Sequence, residues 1–136
     1  MEREIKFRGI PLCGIDFVYG SLVVSKNEKG KKEYTIYNFD NGLTKYQVKP
    51  ETVGQLVGLL GEKAVEVYEG DLLKNSDVVY RVGYCRKNGM FMLYSKVPKG
   101  CKREGEENEN PITLVYFLKL EVVSNIHQNP ELIDNE

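Results

Sequence analysis

A chain of 136 residues with a formal net charge of −1 is long enough to bury its own core, and too nearly neutral to hold nucleic acid by bulk charge. Its hydrophobic fraction of 41% and charged fraction of 29% are those of an ordinary globular protein, and nine Tyr and five Phe offset the absence of Trp. Three cysteines without a C-x-x-C pair, and an opening MEREIKFRG without an apolar core, predict free thiols, no secretory signal and a cytoplasmic setting.

Taken in chain order, the first strand signal is Phe17 to Val24, apolar and β-prone. Asn27-Glu28-Lys29-Gly30 then turns the chain, and Tyr34 to Phe39 returns. Asp40-Asn41-Gly42 makes a second turn before a short strand, Lys45 to Val48, which Pro50 ends because it has no N–H to donate. Glu51 to Leu60 resists a strand reading. Thr52 and Gln55 stand at capping-box spacing and predict a short helix, limited by Gly54 and Gly58.

Further on, Tyr68-Glu69-Gly70-Asp71 reads as a turn that delivers Leu72-Leu73 into a strand. Val78 to Cys85 alternates at the strand period, Lys87-Asn88-Gly89 is a hairpin signal, and Met90 to Tyr94 is the return. Met90 to Tyr94 is also the longest nearly apolar run, far too short for a membrane-spanning helix, so no membrane partner is expected. Residues 96–110 carry basic and then acidic side chains with few large apolar ones and are expected to form a flexible loop. Ile112, Leu114, Tyr116, Leu118 and Leu120 form another ladder, with Val115 and Phe117 on its opposite face. After Lys119 there is no Lys or Arg, so the end of the chain, 121–136, is acidic. Asn129-Pro130-Glu131-Leu132 reads as one helical turn. The whole predicts a single, mainly β domain over 1–136: curled antiparallel sheets or a partly open barrel of short strands with one or two helical turns. The alternative is α+β, should 51–60 be a full helix.

Few residues point to chemistry. Glu69 and Asp71 are the one acidic pair that invites a metal-dependent hydrolase or nuclease reading, but a metal needs three or four convergent ligands. The single His127 excludes a His-His metal motif within one chain, and Cys13, Cys85 and Cys101 have no local partner for a Cys–His dyad. No catalytic residue, cofactor or metal site is therefore expected. The basic stretch from Lys26 to Lys32, with Lys29 and Lys31, is a candidate phosphate contact, as is Lys102-Arg103. Tyr34 and Tyr37 nearby offer a stacking surface, although Glu28 and Glu33 dilute the charge.

Three ordered blocks resemble the YopX family of phage and prophage proteins. They are Ile5-Lys6-Phe7-Arg8-Gly9 with Val18-Tyr19-Gly20-Ser21-Leu22; Pro50-Glu51-Thr52-Val53-Gly54-Gln55 with Gly58-Leu59 and Val67 to Leu72; and Glu121-Val122-Val123 with Asn125-Ile126 and Asn129 to Leu132. Departures are Phe17 where the family usually has Trp, Leu60 to Ala64 in place of a more turn-like segment, and His127 in place of an aromatic residue. The resemblance implies a compact, mainly β protein of temperate phages, within the bacterial host cell, and no established reaction. It makes Tyr68, Glu69, Gly70 and Asp71 a fold signature rather than an active site. The leading expectation is a non-enzymatic interaction module that self-associates, motivated by apolar positions on both strand faces, as at Val115 and Phe117. A further phage or host protein is the other expected partner, and the alternative is a nucleic-acid-binding accessory protein.

Overall fold

The computed structural model describes residues 4–40, 42–60, 63–75, 78–96, 106–112 and 119–131. Among them run eleven strands: β1 Phe7–Gly9, β2 Val18–Lys26, β3 Lys32–Asn38, β4 Thr44–Gln47, β5 Gly54–Leu60, β6 Val65–Tyr68, β7 Asp71–Lys74, β8 Val79–Cys85, β9 Met90–Lys96, β10 Glu107–Pro111 and β11 Glu121–Asn125. They make two antiparallel sheets, in the orders β4-β3-β2-β1-β5-β6 and β10-β9-β8-β7-β11. Neither sheet closes into a barrel, and the fold is mainly β, as the alternation predicts. No helix among the described residues is long and apolar enough to cross a membrane.

The chain divides into two compact units, Met1–Leu56 and Val57–Glu136. In the first, β2 and β3 form the long hairpin expected from the alternation around Asn27 to Gly30, with Leu22 opposite Ile36 and Val24 opposite Tyr34. β4 follows, with Tyr46 opposite Ile36. This sheet curls. The N–H of Leu12 donates to the Gln47 carbonyl (3.1 Å) and that of Lys49 to the Ile10 carbonyl (2.8 Å). Ile10, Ile36, Val48 and Leu56 are buried there.

The helix expected over 51–60 is not formed. Pro50–Thr52 makes a single 3-10 turn, and Gly54–Leu60 is strand β5, paired with β1. The Thr52 hydroxyl caps no helix. It accepts the Ile10 N–H (2.9 Å) and donates to the Lys49 carbonyl (2.6 Å), fixing the turn to the end of β1. Pairing with β1 and the burial of Leu56 and Leu60 outweigh the weak helix start, which two glycines already undermined. The α+β alternative falls with it.

The second unit is better filled. Leu73, Val82 and Leu93 lie on one face of adjacent strands, and Leu60, Val67 and Leu120 pack on them. On the other face Leu72 and Val79 are covered by Ile126. Both faces of β7 are thus apolar and buried at Leu72 and Leu73, a pattern that one-face alternation does not anticipate. The turn expected at Lys87-Asn88-Gly89 is present, with the Gly89 N–H donating to the Cys85 carbonyl (2.8 Å).

The loop expected over 96–110 is shorter than that. Glu107–Pro111 is an edge strand paired with β9, although its Glu and Asn are poor strand formers. Backbone pairing and the ion pair between Arg81 and Glu107 (3.0 Å) hold it. Residues 97–105 lie outside the described residues, and so does the ladder of 113–118, including Val115 and Phe117. At the C-terminal side β11 pairs with β7, and Glu131 alone of the expected helical turn is helical among the described residues.

Candidate functional site

The lysine-rich segment forms the tip of the β2–β3 hairpin. Asn27 builds it: its N–H donates to the Lys31 carbonyl, and its carbonyl accepts the Gly30 N–H (both 2.9 Å). Its side-chain Oδ1 accepts the N–H groups of Lys29 (2.9 Å) and Lys31 (3.0 Å). The side chain of one short polar residue thus fixes the turn from within. Lys26 and Lys32 close the ladder directly opposite each other. All four lysines are exposed, and none of them forms an ion pair among the described residues. Lys102 and Arg103, the second basic pair, lie outside the described residues.

The register sorts the tyrosines. Because side chains alternate, Lys26/Lys32, Val24/Tyr34 and Leu22/Ile36/Tyr46 share one face, in that order from the tip. Tyr37 lies on the opposite face, beside Ser21 and Lys45. So the expected pair of Tyr34 and Tyr37 is not one surface. Tyr34 and Tyr46 share a face instead, and only strand register, which the sequence does not state, brings Tyr46 in.

The other end of β3 is apolar. Phe39 and Leu43 flank the turn at Asp40 and Gly42 and are 64% and 62% exposed. Asn38 holds the Asp40 side of it. The Asn38 Oδ1 accepts the Asp40 N–H, and its Nδ2 donates to the Tyr19 carbonyl (both 2.9 Å). Two large apolar side chains are thus left exposed to water at this end of β3.

The Tyr68–Asp71 segment is the tight link between β6 and β7, as the sequence predicts. Asp71 is buried, and its carboxylate accepts the Tyr68 N–H (2.7 Å). Gly70 takes φ +94°, donates to the Val82 carbonyl (2.7 Å) and accepts the Ile126 N–H (2.9 Å). The turn therefore ties β8 and the chain after β11 to β7. Among the described residues no group of three or more His, Cys, Asp and Glu stands close enough to hold a metal. Asp71→Ala strands a buried N–H and is expected to cost about 1–3 kcal/mol. Glu69→Ala, at the partly exposed position, should cost less than about 1 kcal/mol. Urea denaturation of the two variants measures the difference.

Other reactive side chains are in structural settings. Cys13 is exposed in the loop after β1, and Cys85 is buried in β8, packed with Met92 and Tyr94. Burial first, and the neighbouring Cys85 thiol second, raise the Tyr94 phenol above its usual range. The Arg81 guanidinium lies over the Tyr94 ring (4.5 Å) and grips both Glu107 oxygens (3.0 and 3.1 Å). His127 stands in a turn whose N–H groups at 127 and 128 donate to Asn125 Oδ1 (3.0 Å each). Arg8, buried in β1, lies 4.1 Å over the Phe17 ring. That contact explains why an aromatic side chain stands at 17: it is the platform for a buried cation.

A family model described as YopX protein matches residues 6–134. A search of curated proteins finds no match.

Proposed function

The chain belongs to the YopX family, and on that footing we propose that it is a non-enzymatic protein-interaction module that associates with copies of itself. One observation carries this reading. Among its described residues the first unit buries four large apolar side chains, whereas Ile5, Ile15, Phe39 and Leu43 are each more than half exposed. An antiparallel sheet so thinly covered gains by burying these groups against a partner, at about 25 cal/mol per Å² of apolar surface. Phe39 and Leu43 are the best anchors, since both are large, apolar and exposed and they stand close together in the chain at the end of β3. The use of Asp71 as the internal acceptor of a turn supports a role without catalysis at that position.

We read the protein as part of a phage's programme inside the bacterial host, with a further phage or host protein as its second partner. Phe39→Ser combined with Leu43→Ser changes only exposed positions. The double variant is expected to keep its far-ultraviolet circular dichroism and thermal midpoint and to lose self-association in gel filtration. Unchanged association would move the interface away from this turn.

A further inference from the structure

We propose that the lysine tip of the β2–β3 hairpin is a binding site for single-stranded nucleic acid, with phosphates on Lys26, Lys29, Lys31 and Lys32 and bases against Tyr34 and Tyr46. This goes beyond self-association and uses a different surface. The tip and the Phe39 turn lie at opposite ends of β3, about 24 Å apart at the usual strand rise.

The hairpin tip carries an unfavourable feature. Like charges directly opposite in an antiparallel pair destabilise the ladder, and Lys26 faces Lys32 with no acidic side chain paired to either. Glu28 and Glu33 are adjacent in sequence yet form no ion pair with any of the four lysines. The Asn27 clamp holds the turn that carries Lys29 and Lys31, so the charge is presented on a fixed backbone rather than dispersed on a loose loop. A polyanion resolves this repulsion, because phosphates accept the lysine charges and release their own counterions.

The choice among polyanions follows from the register. Next to the lysine pair on the same face comes the partly exposed Tyr34, one strand repeat of about 7 Å away, and then, past the buried Ile36, the exposed Tyr46 on the neighbouring strand. Phosphate-binding lysines followed by tyrosine faces are the combination that unpaired bases use, since each base can stack while its backbone tracks the charge. A duplex hides those base faces, and an acidic protein segment has no use for them.

The test is fluorescence anisotropy of a labelled oligothymidylate with the full chain, from 50 to 200 mM salt. Four lysine contacts predict a salt slope of about −2.8, which is roughly a 50-fold loss of affinity over that range. Lys26→Glu is the informative variant, because it replaces a repulsive pair with an attractive one facing Lys32. It is expected to bind at least about tenfold more weakly while its thermal midpoint holds or rises and its mass in solution is unchanged. Replacing all four lysines by Gln should abolish binding. No binding of oligothymidylate at 50 mM salt overturns the proposal, and so does full binding by the Gln variant. Equal or tighter binding of duplex DNA or polyglutamate overturns the assignment to unpaired bases. None of these results bears on self-association, which Phe39 and Leu43 test separately.

Discussion

Gly20→Ala is expected to unfold most of the first unit or cost it on the order of 3–5 kcal/mol. The residue has φ +155°, and a Cβ built there would stand 2.1 Å from the Tyr37 carbonyl oxygen. That oxygen belongs to the backbone of β3 and has no flexible side chain to swing away. Either the β2–β3 ladder shifts or Gly20 leaves its conformation, and both break pairs that hold the hairpin to β1. Against a total stability of about 5–15 kcal/mol for an ordinary domain, such a loss is severe. Ser21→Ala, one residue on and exposed, should change stability by no more than about 0.5 kcal/mol. Urea denaturation of both variants checks the contrast. A Gly20→Ala protein as stable as the parent would mean that β2 and β3 do not approach as described.

Leu93→Ala is expected to cost about 2–5 kcal/mol, concentrated in the second unit. Leu93 is fully buried in β9 opposite Val82, inside the core that Leu60, Val67, Leu73 and Leu120 complete. Its neighbours come from separate strands fixed by their own ladders, so they have little freedom to close the cavity left behind. Val123→Ala is the comparison, because Val123 is exposed at the irregularity in β11, and it should stay within about 0.5 kcal/mol. Equal effects at the two positions would contradict the described core.

Much of this architecture is legible in the sequence where local chemistry and tertiary pairing agree. The β2–β3 and β8–β9 hairpins combine alternation with Asn and Gly turns, so each segment states its own partner. Pro50 likewise marks the end of the fourth strand. The reading fails where pairing overrides local preference. Gly54–Leu60 looks like a capped helix start and becomes a strand because β1 takes its edge. Glu107–Pro111 looks solvated and becomes an edge strand because β9 and Arg81 hold it. β-Propensity describes a fit to neighbours, and those neighbours are distant in sequence.

The candidate surfaces divide in the same way. A run of lysines around Asn27 and Gly30 is visible in the sequence as a basic turn. That Lys26 faces Lys32, and that Tyr34 shares a face with Tyr46 rather than Tyr37, depends on register and is not. Phe39 and Leu43 read as ordinary strand and turn apolar residues. Only burial separates them from Ile36, which is fully enclosed a few residues away. The sequence gives no sign that Arg8 is buried, because a charged residue within a strand motif is normally solvent-facing, and here it is covered and stacked on Phe17.

Light scattering at micromolar concentration separates a self-associating chain from a monomer. The parent chain is expected to scatter with at least twice the mass of one 15.6 kDa chain, and the Phe39→Ser, Leu43→Ser protein with the mass of one. A parent chain that stays a clean monomer across that range would contradict self-association.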